Sequence, residues 1–174
     1  VKIRDGIIDK DFLRKHRFYD TFLHFGIDNE ELAQYFEKHF LDEIINFNEL
    51  IPQTIEVLEY LKEKGYQLHV VSNGFHEVTN RKVEKSGLKK YFETVTSAED
   101  AHAMKPDERI FEYSLNLANA EKSESIFIGD DWVADVKGAQ NFGLDIIFFD
   151  ALKENKSEEG LKTIQNLEEI KNFL

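Results

Sequence analysis

Ser125-Ile126-Phe127-Ile128-Gly129-Asp130-Asp131-Trp132-Val133-Ala134-Asp135 is the stretch on which the fold turns. Ser125–Ile128 is a short apolar strand, Gly129-Asp130-Asp131 ends it, and a helix through Val136 and Ala139 runs on to Gly143. The same alternation extends both ways. Upstream, Pro52 suits the first turn of a helix striped by Ile55, Leu58 and Leu61 and closed by Gly65. A strand over Leu68–Val71, ended by Ser72-Asn73-Gly74, leads to a helix over Val78–Lys85 that stops at Gly87. Thr94-Val95-Thr96 is a strand, and a loop through Lys105-Pro106 precedes a helix over Ile110–Ala118. Downstream, Ile146–Phe149 is a fourth strand and Leu161–Gln165 holds a fifth. Asn166, with Glu169 three residues on, starts a last helix in the manner of a capping box. Short strands, apolar on both faces and alternating with helices, mean an α/β fold with a parallel sheet covered on both sides.

Residues 1–48 read differently, as helices without strand-like alternation. Phe12, His16, Tyr19, Phe22 and Leu23 recur at helical spacing, as do Leu32, Tyr35, Phe36, His39 and Phe40. Gly26 stops the first of these helices, and Asp28 is positioned to cap the second. Asn46-Phe47-Asn48-Glu49 is the expected seam, giving a helical part over 1–48 and an α/β part over 49–174.

Composition narrows the function classes. The 174 residues contain no Cys, which excludes thiol nucleophiles, disulfides and Cys-ligated metals. A formal net charge of −12 argues against a nucleic-acid polymer or an anionic membrane as partner, since both need a basic field. No apolar run approaches the ~20 residues that a membrane span requires, and a cytoplasmic location is expected. Val1-Lys2-Ile3-Arg4-Asp5 has neither an initiator Met nor a signal-peptide layout.

In parallel sheets of this kind chemistry collects at the carboxyl ends of the strands. Three polar clusters fall there. Asp130 and Asp135 form a hard, oxygen-only pair that suits Mg²⁺ better than zinc. The structural alternative is that Asp130 or Asp131 caps the helix and Asp135 is a solvated first-turn acid; Asp131 is assigned to the cap. Ser72-Asn73-Gly74 offers a hydroxyl, an amide and backbone N–H groups at a strand-to-helix junction, an anion site or an ordinary turn. Lys105 before Pro106 is either a cation held over a phosphoryl group or a surface lysine ahead of a helix.

Taken together and in order, Val71-Ser72-Asn73-Gly74, Lys105-Pro106 and Gly129-Asp130 with Asp135 resemble the second, third and fourth motifs of the haloacid dehalogenase-like hydrolase superfamily. The runs Ser72-Asn73-Gly74-Phe75-His76 and Lys105-Pro106-Asp107-Glu108-Arg109-Ile110-Phe111 are similar to its pyrimidine 5′-nucleotidase-like branch. The resemblance implies a Rossmannoid core with an inserted helical, C1-type cap, to which residues 1–48 correspond in part. It implies Mg²⁺-dependent hydrolysis of phosphate monoesters through an aspartyl-phosphate, with nucleoside 5′-monophosphates as the expected substrates. By that analogy Asp130 ligates Mg²⁺, Asp135 supports it directly or through water, Ser72, Asn73 and Gly74 hold phosphoryl oxygens, and Lys105 neutralises charge.

The family's first motif, Asp-x-Asp-x-[Thr/Val] at the end of a central strand, has no counterpart in this sequence; Asp5, Asp9 and Asp11 lack a preceding apolar strand. Without that strand, those ending at Val71 and Ile128 would face each other with unpaired backbone groups, each costing roughly 1–3 kcal/mol if unsatisfied. The expectation is therefore a longer protein, with about 40–60 further N-terminal residues, or a separate N-terminal segment or chain completing the sheet. A sugar-phosphate phosphatase of the same superfamily is the second functional reading. A non-catalytic binding module, if the chain is natively complete, is the third.

Overall fold

A computed structural model describes residues 7–174; the Val1–Asp5 stretch singled out above, and Asp5 with it, lies outside the described residues. The chain divides into two compact units, the first ending at Asn48 and the second beginning at Glu49.

The first unit is a pair of packed helices, α1 (Lys10–His24) and α2 (Glu30–Ile44). Asp9 caps α1 by accepting from Phe12 N at 2.7 Å. Asn29, rather than the expected Asp28, caps α2 by accepting from Leu32 N at 2.9 Å. Asp28 is taken by the Tyr19 hydroxyl, which donates to it at 2.9 Å. Aromatic rings hold the two helices together. Phe22 meets Phe36 edge-on at 5.2 Å, and Phe18 meets Phe40 at 5.6 Å. Arg17 lies over the Phe40 ring and pairs with Glu37 at 2.6 Å.

The second unit starts with α3 (Thr54–Glu63), in front of which Gln53 takes a left-handed φ of 66°. Pro52 therefore lies in the turn before the helix, not in its first turn as expected. Then come β1 (His69–Ser72), α4 (His76–Lys85), β2 (Thr94–Ser97), the short α5 (Ala98–Ala101) and α6 (Glu108–Ala118). The chain continues through β3 (Ile126–Gly129), a π-helical turn (Trp132–Lys137) running straight into α7 (Gly138–Phe142), β4 (Asp145–Phe149) and β5 (Lys162–Ile164). The final helix is a 3₁₀ segment, Leu167–Asn172, without a side-chain cap; Asn166 Nδ2 instead donates to the Glu169 carboxylate.

All strand pairs are parallel, and the sheet is in two parts, β1-β2 and β3-β4-β5. The break falls between β1 and β3, whose residues line one cavity. Alternation along β3 sends its side chains to two cores. Phe127 packs with Phe111, Val136, Ala139, Phe142 and Phe148 on one face. Ile126 and Ile128 pack with Val57, Leu61, Ile147 and Ile170 on the other. The fold is thus an α/β/α arrangement with every strand's carboxyl end on one edge.

Candidate active site

The side chains singled out in the sequence meet on that edge. At the end of β1, Ser72 Oγ accepts from Gly74 N at 3.0 Å, closing a tight turn ahead of α4. A Cβ added at Gly74 would lie 2.6 Å from Thr79 Oγ1, so only Gly fits under the first turn of α4. Neither Ser72 nor Asn73 caps the helix; the capping position is Phe75, which has no side-chain bond to offer. Asn73 reaches across to the next loop instead. Its Nδ2 donates to Lys105 O at 2.9 Å, and its Oδ1 accepts from Lys105 N at 2.7 Å.

That reciprocal clamp fixes the backbone of Lys105, whose peptide bond to Pro106 is cis. Lys105 is no surface lysine. The residue is only 9% exposed, and its Nζ donates to Val71 O at 2.9 Å. Nζ also lies 2.7 Å from Asp135 Oδ1, an ion pair without hydrogen-bond geometry. One cation therefore ties the end of β1 to the segment that follows β3.

Asp135 is likewise not the solvated acid of the alternative reading, being 3% exposed. Its Oδ2 accepts from the N–H groups of both Asp130 and Asp131 at 3.0 Å. The π-helical turn makes this possible. Asp131 Oδ1 caps the turn through Val133 N and Ala134 N, and Asp131 O accepts from both Asp135 N and Val136 N. The widened turn folds Asp135 back beneath Gly129, where a Cβ would come within 2.5 Å of its carboxyl group. π-helical turns of this kind are often found at functional sites. Asp130 is exposed at the rim.

Two elements escape sequence reasoning. Thr79 is buried one turn into α4, with its hydroxyl 3.5 Å from Ser72 Oγ. Asp100 links β2 to α4: its Oδ2 accepts from Ser97 Oγ at 2.6 Å and Ser97 N at 2.8 Å, while Oδ1 meets His76 Nδ1 at 2.7 Å. Burial opposes the charge on Asp100, but the bonds from Ser97 and His76 outweigh it and hold the carboxyl below its ordinary range. Thr79 is betrayed only by being a β-branched residue one turn past Gly74. The His76–Asp100 pair has no sequence signal, its members lying 24 residues apart.

Among the described residues no three His, Cys, Asp or Glu side chains converge as a protein-built metal cage requires. The exposed Asp130 carboxylate and Asp135 Oδ1, which accepts no hydrogen bond, are the oxygen donors that would hold a hydrated Mg²⁺, an ion usually bound by one or two carboxylates with water or substrate completing its shell. The residues form an edge where an anion can meet a buried cation, oriented N–H groups and two carboxylates.

The site sits at the carboxyl edge of a parallel α/β sheet, and comparison with known proteins makes the class definite. The chain belongs to the haloacid dehalogenase-like hydrolases, whose family profile matches residues 10–149. It is 30% identical over 145 residues to the pyrimidine 5′-nucleotidase PynA of Streptococcus pneumoniae, covering 82% of this chain and 60% of that protein. It is 32% identical over 110 residues to the ribulose-1,5-bisphosphate 5-phosphatase of Halopiger xanaduensis, covering 63% and 46% respectively. The chain thus spans about half to three-fifths of the length of these relatives. In fold it matches the crystal structure of the HAD-hydrolase YfnB of Bacillus subtilis, described as bound to magnesium, with a TM-score of 0.88 at 22% identity over 99% of this chain and 75% of that one. Among the described residues no helix is long and apolar enough to cross a membrane.

Proposed function

We propose that the whole protein hydrolyses small phosphate monoesters, nucleoside 5′-monophosphates foremost, through an aspartyl-phosphate whose aspartate lies outside these 174 residues. The observation that carries this reading is the buried Lys105–Asp135 pair, clamped by Asn73 to the turn that follows β1. Phosphoryl transfer asks mainly for positioning and charge stabilisation. Ser72, with the backbone N–H groups of Asn73 and Gly74, is placed to hold phosphoryl oxygens. Lys105, held in place from both sides, presents its ammonium without reorganisation. Asp135 orients that ammonium and, through its second oxygen, the Asp130 backbone. Asp130, with Asp135 directly or through water, would hold Mg²⁺, which supplies positive charge against the phosphate. This matters in a chain of net charge −12, where an approaching phosphate dianion is otherwise repelled. In this reading the two-helix unit is part of a cap, its aromatic rings used largely to pack its own helices.

The pyrimidine nucleotidase named above supports a nucleotide substrate. The sugar bisphosphate named for the Halopiger relative supports the second reading, a sugar-phosphate phosphatase. A panel of nucleoside 5′-monophosphates and sugar phosphates, assayed on the whole protein with Mg²⁺ and with chelator, decides between them. Absence of phosphate release from every member of the panel with Mg²⁺ present overturns both.

A further inference from the structure

We propose that His76 is the positioning residue of the phosphate-holding turn, acting from the first turn of α4 through two consecutive acids of α5. This role rests on the reading above, in which Ser72, Asn73 and Gly74 hold phosphoryl oxygens. Ser72 and Ser97 are register partners at the ends of β1 and β2, so the segments that follow them leave the sheet side by side. α5 is the fixed member. Ser97 is fully buried, and its N–H and hydroxyl both donate to Asp100 Oδ2, at 2.8 and 2.6 Å. α4 is attached to α5 at two points on one residue. His76 N donates to Glu99 Oε2 at 2.6 Å, and His76 Nδ1 lies 2.7 Å from Asp100 Oδ1. Asn80 Nδ2 lies 3.4 Å from His76 Nε2 and donates to His76 O at 3.0 Å, which leaves Nδ1 to donate to Asp100.

What His76 holds is the floor of the turn. The first turn of α4 supports the residues before it through Thr79, whose N–H donates to Phe75 O at 2.9 Å. Thr79 Oγ1 lies 3.5 Å from Ser72 Oγ and leaves no room for a Cβ at Gly74. A shift of α4 therefore moves the Ser72 hydroxyl and the Gly74 N–H together. Asn73 secures the other side through Lys105, so the turn is held between two loops. Two exposed, flexible side chains that merely met at the surface would contribute little. Here Ser97 fixes the acceptor beforehand and Glu99 fixes the His76 main chain, so the ring bond sets geometry at small entropic cost. Contacts to phosphoryl oxygens that persist from ground state to transition state act on KM rather than kcat. Lys105 and Asp135 are held separately, by Val71 O and by the Asp130 and Asp131 N–H groups.

The test is steady-state kinetics of the whole protein with a nucleoside 5′-monophosphate and Mg²⁺, and with inorganic phosphate as inhibitor. His76→Leu removes the ring donor and keeps the main-chain bond to Glu99. It is expected to raise KM and the inhibition constant of phosphate together, by about three- to tenfold, the scale of one lost hydrogen bond. Its kcat is expected to change by less than about twofold. His76→Asn returns an N–H donor at the same bond separation from the main chain as Nδ1, and it is expected to restore both constants. The His76 side chain is more than half exposed, so both variants are expected to fold. Unchanged constants for His76→Leu, a loss confined to kcat, or no rescue by His76→Asn overturns the role of His76 and leaves the phosphatase reading standing. Absence of turnover by the parent overturns that reading, and the role of His76 with it.

Discussion

Lys105 Nζ and Asp135 Oδ1 lie 2.7 Å apart with both side chains buried, one from the loop after β2 and the other from the turn after β3. Breaking a buried pair by removing one partner strands the other charge, at a cost of about 3–5 kcal/mol. Lys105→Met should therefore destabilise the chain by about that much, measured by urea unfolding. With Asp135→Asn added, the double variant should lose less than the two single losses summed. Strict additivity would show that the pair is not an energetic unit.

Gly129→Ala tests the fold-back of Asp135. The new Cβ would lie within 2.5 Å of the carboxyl group, so Asp135 must move away from the N–H groups of Asp130 and Asp131. The expected loss is about 1–3 kcal/mol, the cost of overpacking in a well-packed region. In the whole protein it should also suppress turnover far more than substrate affinity. An unaltered melting temperature and rate would contradict the geometry.

Asn73→Ala removes both halves of the clamp on the Lys105 backbone. Two lost hydrogen bonds predict a fall in stability of about 1–3 kcal/mol. Asn73→Asp keeps an acceptor for Lys105 N but turns a second carboxylate oxygen toward Lys105 O, so it should unfold at a lower temperature than the parent, and parent-like unfolding would contradict the clamp.

His69 carries the expected pH dependence. Burial, the strongest influence on it, holds its pKa below the ordinary value, with Lys62 acting in the same direction and Glu93 against. Its Nδ1 lies 2.8 Å from Thr94 Oγ1, within the β1-β2 pair. The unfolded chain then binds a proton at a higher pH than the folded one, so stability rises with pH between the two values. The contribution is present above about pH 6.5, the unfolded value, and is lost as pH falls through the folded one. His69→Gln should flatten the dependence of unfolding free energy on pH over this window. A variant with the parent's slope places the origin elsewhere.

Much of the architecture is legible because burial on both faces leaves a strong signal. The apolar runs around Val70, Val95, Phe127 and Ile147 mark the four main strands, although their ends shift. β1 reaches Ser72 and β2 reaches Ser97, since these polar residues still pair in parallel register. What hides is short or built from distant partners. α5 has only four residues and rests on the Ser97–Asp100 capping box. The π-helical turn depends on Asp131 O accepting two N–H groups, which no periodicity announces. In the site, the residue types and their order show in the sequence. The burial of Lys105 and Asp135, and the use of the Asn73 amide on a backbone 32 residues away, do not.

Release of inorganic phosphate from a nucleoside 5′-monophosphate by the whole protein, as Mg²⁺ is titrated in with and without Asp130→Asn, tests the central claim most directly. The account predicts turnover that rises saturably with Mg²⁺, and a fall of about 10²-fold or more in kcat for the variant, the scale on which removal of a charge-stabilising group is felt. Turnover that is indifferent to Mg²⁺, or unchanged by Asp130→Asn, would contradict it.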